Sequence, residues 1–228
     1  MKYYSILLLF IFTDFFFSQN TEISQFNLAE YKKLIKKSCY SDCEVKTYGN
    51  QNFIQFKRND STISMSYQKN HISSIIKTID NYYIVYEFHP NLNIKSRVEN
   101  IGGVSQMLQT PIGIETRFDM NGKIIEQIDY DNIPYDENIP TPKKKYHDII
   151  LAVKKDFNFD VFKDKSLFGI HSFYDEKTKK VNYKVIKFLG DENNILKLLI
   201  FEYDGETGNF VKQEKSEMQL PDGGLPHY

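Results

Sequence analysis

The chain has 228 residues, enough for one large domain or two small ones with real cores. Twenty-nine Lys and Arg stand against thirty Asp and Glu. So even a balance leaves no electrostatic footprint for nucleic acid, and that class is excluded. Sixteen Tyr and eighteen Phe with no Trp are the unusual feature; aromatics alternating with Lys, Glu, Ser and Thr suit half-buried pleated surfaces.

The first twenty residues, MKYYSILLLFIFTDFFFSQN, read as a secretory leader. Lys2 is a minimal positive end, Tyr3 to Phe12 are apolar, Phe15, Phe16 and Phe17 extend the run, and Ser18 is a small residue of the kind signal peptidase accepts. Asp14 interrupts the run, and Phe16 occupies a position where a small residue is usual. The run is too short for a stable bilayer span, which needs about 20 residues. An uncleaved anchor and a buried strand are the alternatives. No cysteine near Ser18 could take a lipid, and no later segment is apolar for long enough to span a membrane. The expected location is secreted or periplasmic.

A helix is expected over 27–37. Asn27 and Glu30 form a capping box, Phe26 can staple against Tyr31, and Leu28, Tyr31, Leu34 and Ile35 make one apolar face. Just past it lie the only two cysteines, Cys39 and Cys43, spaced C-x3-C. In an exported chain the first reading is a local disulfide, contributing only about 2 kcal/mol because the loop is short. A zinc pair would need further ligands, and His71, His89, His147, His171 and His227 are scattered singly. A catalytic cysteine with a distant histidine stays open.

Strand patterns follow: Ile54 and Phe56, then Ile63, Met65 and Tyr67, with Asn59-Asp60 as the turn between them. Residues 71–79 fit a helix or a strand by spacing, and their four isoleucines favour the strand. Tyr82 to Phe88, Asn93 to Val98, Ile112 to Phe118 and Lys123 to Tyr130 continue as a β-meander, the last pair joined by Asp119-Met120-Asn121-Gly122. Asp131 to Pro142 holds three prolines and five carboxylate or amide side chains, and reads as a linker whose acids are solvated rather than calcium ligands.

Beyond it, Thr141 is the expected cap and Pro142 the first position of a helix whose stripe is Tyr146, Ile149, Ile150, Val153 and Phe157. Four strands are expected at 167–174, 181–189, 195–203 and 209–213. The expected fold class is α+β. It comprises a cleaved leader (1–18), a helix plus meander (19–130), a linker (131–141), a helix packed on a 3–4-stranded antiparallel sheet (142–216) and a loose tail (217–228).

The strand and turn Ile200-Phe201-Glu202-Tyr203-Asp204-Gly205-Glu206-Thr207-Gly208, following a helix and earlier strands, resemble a PepSY-type domain over about 142–214. That resemblance implies a small secreted module with an inhibitory or regulatory role towards a peptidase or envelope protein. Residues 86–95 (YEFHPNLNIK) and 117–125 (RFDMNGKII) resemble MORN-type repeats of bacterial toxin-antidote proteins, which implies an immunity protein against a secreted toxin.

No nucleophile elbow, HExxH, P-loop or dinucleotide fingerprint is present. Gly102-Gly103 reads as a turn. His147 beside Asp148 is no dyad, because adjacent helical positions do not face each other, and His171 reads as a partly buried strand residue. Asp129 and Asp131 share a strand face, so a hydrolase joining such acids to His147, His171 or Cys39 is a further alternative. The reading is an exported, non-catalytic protein-binding module without cofactor or metal, acting through sheet edges and aromatic faces.

Overall fold

The computed structural model describes residues 23–36, 43–48, 51–103, 109–132, 138–139 and 141–219. Among these, eight strands run in sequence order through one antiparallel sheet: β1 (Cys43–Tyr48), β2 (Gln51–Arg58), β3 (Ser61–Tyr67), β4 (Ser73–Ile79), β5 (Tyr82–Phe88), β6 (Ile94–Ile101), β7 (Thr110–Phe118) and β8 (Ile124–Asp129). Each strand can return directly beside its predecessor because the chain places residues that accept a left-handed backbone at the turns. Asn59 (φ 53°) closes β2–β3 and Asp80 (φ 52°) closes β4–β5.

The turns 89–93 and 119–123 share one hydrogen-bond scheme. The residue-89 N–H donates to the Asn93 carbonyl (2.9 Å) and the Leu92 N–H to the His89 carbonyl (2.8 Å). The Asp119 N–H donates to Lys123 (2.8 Å) and the Gly122 N–H to Asp119 (3.0 Å). The left-handed position is Leu92 (φ 72°) in one and Gly122 (φ 82°) in the other. Gly122 alone is left-handed in its loop, so this is a type I turn with a bulge, not the two-residue primed turn that Asn-Gly usually signals. The two turns also touch: Asn91 and Asn93 both donate from Nδ2 to the Met120 carbonyl, at 2.9 and 2.7 Å.

The second sheet is antiparallel in the order β12-β11-β10-β9, built from β9 (Leu167–Asp175), β10 (Lys180–Glu192), β11 (Ile195–Asp204) and β12 (Phe210–Gln219). Two helices complete the described chain, α1 (Leu28–Lys36) and α2 (Tyr146–Phe157).

The α+β expectation is overturned, because twelve strands in two antiparallel sheets dominate and the helices are only 9 and 12 residues long. The physical reason lies in α1. Asn27 does accept from the Glu30 N–H (3.0 Å), but the helix buries only Tyr31, on Phe26 and Tyr67. It covers a patch of the sheet rather than forming a layer. Three further expectations are corrected. Thr141 does not cap α2: its hydroxyl donates to the Asn132 carbonyl (3.2 Å), and α2 starts at Tyr146 with the Asp148 carboxylate accepting from the Lys145 N–H (3.0 Å). β10 runs to Glu192, past the expected end at 189, and the reversal is Asn193-Asn194, both left-handed. β12 continues to Gln219, past the expected end at 213.

One core gathers Ile54, Met65, Ile75, Tyr86 and Phe88 beneath Phe26 and Tyr31. The other packs Ile149, Ile150 and Val153 of α2 on Ile170, Tyr183, Val185, Phe201 and Tyr203, and it also takes in Ile101 of β6. The large sheet therefore contributes a residue to the core of the second.

Candidate functional site

Three places gather polar or exposed groups that the cores do not explain: the junction between β8 and α2, a charged row across the second sheet, and the outer edge of β8.

At the junction, Asp129 builds a turn. Its Oδ1 accepts from the Asp131 N–H (3.1 Å), its other oxygen from the Asn132 side chain, and its carbonyl from the Asn132 N–H (2.9 Å). Lys145 closes the turn from α2, donating from Nζ to the Asp131 carbonyl (2.5 Å) and to Asn132. The Asp131 carboxyl is raised above the usual range by burial and by the nearby Asp129 charge, with Lys145 and His147 opposing. Its Oδ1 is buried with no partner. The structure thus brings together Asp129, Asp131 and, from α2, Lys145 and His147. Both Asp129 oxygens and the Lys145 amine are spent on the turn itself, so what this arrangement does chemically is hold β8 to α2.

The second sheet carries a row of charges in register: His171, Lys184, Glu202 and Lys212. Glu202 is buried, and it accepts from the Asn182 side chain (3.1 Å) and pairs with Lys212 (3.5 Å). Lys184 lies over the Phe173 ring, 4.3 Å from its centre. The His171 imidazole is pushed below its usual value by burial and by Lys184, and so is held neutral. It lies on β9, in the second sheet, whereas His147 stands in the first turn of α2.

Sequence reasoning missed two polar clusters on the large sheet. Glu115 is buried and accepts from Arg117 Nε (2.6 Å) and the Tyr130 hydroxyl (2.7 Å), while Arg117 also donates to Glu126 (2.7 Å). Arg97 pairs with Glu99 on the opposite face, both largely covered. The signal was present as period-2 charges in ETR and RVE, but only register puts them against partners on the next strand. Gly102-Gly103 is not merely a turn: a Cβ on Gly103 would lie 1.9 Å from the Leu167 carbonyl oxygen, so backbone meets backbone there. Cys43 opens β1, and Cys39, with the disulfide expected between them, lies outside the described residues. Among the described residues no group of three or more His, Cys, Asp and Glu is placed to hold a metal. No described helix is long and apolar enough to cross a membrane.

The outer edge of β8 is highly exposed. Residues 121–127 are all exposed, with Ile124 at 52% and Ile125 at 65%. β7 covers one side of β8, and no described strand pairs with the other.

What fold and site define together is a two-sheet antiparallel β protein with open sheet edges. No family model matches the chain, and no curated protein matches it. Among solved structures it is similar to a candidate lipoprotein from Clostridium difficile 630, at 10% identity over 86% of this chain and 97% of that one, with a TM-score of 0.24. A superposition that loose carries no argument about fold or role.

Proposed function

We propose that this chain is an exported, non-catalytic module that binds another protein through a sheet edge. The carrying observation is β8, an edge strand whose exposed Ile124 and Ile125 sit beside unpaired backbone groups. Such an edge is a template for another strand, and proteins that do not use one usually guard it with lysine, proline or a covering element. No residue of β8 itself is a cation or a proline. Export rests on the leader-like run ending at Ser18, and N-terminal sequencing of the mature protein tests it: a start just after Ser18 is the expected result.

The test of recognition is capture from the native envelope and secretome with three baits: the wild-type chain, Ile125→Asp on β8, and Val211→Asp on β12. The expected result is a protein retained by wild type and by V211D but lost with I125D. A peptidase as that protein favours an inhibitory role, and a toxin favours an antidote. Equal retention by all three baits would overturn edge recognition at β8.

A further inference from the structure

We propose that the outer edge of β8 takes up, as a ninth strand of the large sheet, an extended peptide segment with basic residues three positions apart, the first followed by an apolar residue. This rests on the edge-recognition reading and adds the partner's chemistry. The Tyr130 N–H donates to the Gly113 carbonyl (2.8 Å), so the backbone of Tyr130 points to β7. By the alternation of an antiparallel ladder, Ile128 and Glu126 point the same way, opposite Glu115 and Arg117. Gln127 and Asp129 therefore turn their backbone outward, and the alternation ends at Ile125, the extra residue of a bulge opposite Arg117 and Phe118. The Asp129 carbonyl is taken by Asn132, which leaves the N–H and C=O of Gln127 and the N–H of Asp129 for an incoming strand.

Charge selects the strand. From Asp119 to Asn132 there are four acids, Asp119, Glu126, Asp129 and Asp131, against one base, Lys123, and the Lys145 ammonium that closes the 129–132 turn, a local charge of −2. Arg117 does not offset it, because it is shared between Glu115 and Glu126. Gln127 and Asp129 lie on one face, and Glu126 and Ile128 on the other. A matching antiparallel partner sets a base against Asp129, an apolar residue against Ile128, a polar one against Gln127 and a base against Glu126.

A second copy of this chain fits poorly. Pairing β8 with itself about Gln127 opposes Ile125 to Asp129 and Glu126 to Ile128, and pairing about Glu126 opposes two carboxylates. β12, one of the two edges of the second sheet, has a different character: Lys212, Glu214, Lys215 and Glu217 alternate in sign along it in the manner of a guarded edge.

The probe is a capped, fluorescent Thr-Lys-Val-Thr-Lys-Val-Thr peptide, titrated onto the full chain and followed by anisotropy and by backbone amide shifts. Expected are saturable binding that weakens with added salt, at least 10-fold weaker binding when the lysines are replaced by glutamates, and shifts centred on Gln127 and Asp129. Gln127→Pro removes an outward N–H and no ladder bond, so the sheet stays intact while affinity falls at least 10-fold. Should that variant lose its far-ultraviolet signal, Ile125→Asp replaces it with the same expectation. Equal binding of the lysine and glutamate peptides, shifts on β12, or wild-type affinity in the folded edge variant would overturn the proposal. Those results would leave protein capture at β8 standing if I125D still abolished it.

Discussion

Asp204 accepts from the N–H groups of Glu206 (2.9 Å) and Thr207 (2.8 Å), from the Thr207 hydroxyl (3.0 Å) and from Lys180 (2.9 Å). Burial alone would raise this carboxyl, but the four donors outweigh it and hold it at about 2. The Asp-x-x-Thr-Gly stretch therefore works as the hairpin between β11 and β12, with Gly208 left-handed at its end. A carboxyl held at about 2 instead of 3.8 contributes about 2 kcal/mol of stability. Its folded value is the lower one, so the contribution is complete above pH 4 or so and is lost as pH falls towards about 2. Urea midpoints of Asp204→Asn and wild type should differ at pH 7 and converge at the acid end. His171 acts at a different pH. Its folded value is depressed below 6.5, so the unfolded chain binds the extra proton and stability falls as pH drops below about 6.5. His171→Gln should flatten the slope of stability against pH between 6.5 and 5; an unchanged slope would assign it to other groups.

At the scale of elements, Gly122 offers a clean test of turn chemistry, because a Cβ there would meet nothing within 4 Å. Gly122→Ala should cost about 1–2 kcal/mol, all of it backbone strain at φ 82°, read as a lower urea midpoint with unchanged slope. Turns of this kind are why so much of the strand order was legible in the sequence. Asn59-Asp60, His89 to Asn93 and Asp119 to Gly122 each fix a reversal locally, and alternation such as Ile63, Met65 and Tyr67 fixes which face is buried. The ambiguous isoleucines of 71–79 form β4, where β-branching decided against the helical spacing. Illegible were the quantities set by distant partners. α1 has a good cap and an apolar stripe, yet nothing in that stripe says that only Tyr31 will be buried. Thr141 and Pro142 look like a helix start, but Lys144 is drawn into the second sheet, its N–H donating to the Gly205 carbonyl (2.8 Å) and its carbonyl accepting from the Tyr183 hydroxyl (2.7 Å). The helix can begin only after that bond is made. The β8 edge was legible as a strand and invisible as an edge, since which strand is last depends on what fails to pair with it.

For the whole molecule, the junction between the sheets determines whether they unfold together. Asn81, in the turn between β4 and β5, donates from its side chain to the carbonyls of Val161 (2.8 Å) and Asp164 (2.7 Å), and from its N–H to Phe162 (3.0 Å). Tyr82 meets Phe162 edge-on, 6.1 Å between ring centres, and the buried Thr110 hydroxyl donates to the Ile170 carbonyl. Ile101 of the large sheet is fully buried in the core that α2 forms with the second sheet. These contacts join backbone to side chain across 60 to 83 residues of sequence, so neither sheet has them until the other is in place. Each lost bond leaves a carbonyl without its donor, and Asn81→Ala should cost about 2–3 kcal/mol. The wild-type chain is expected to melt in one calorimetric transition, with equal calorimetric and van't Hoff enthalpies. Asn81→Ala combined with Thr110→Val removes the side-chain polar links, leaves the Asn81 N–H bond to Phe162 and spares both sheet interiors, and should separate the melt into two transitions. If the double variant still melts as one, Ile101 and its neighbours couple the sheets by packing. The next variant is then Ile101→Ala, which should cost about 2–5 kcal/mol and divide the transition where the polar deletions did not.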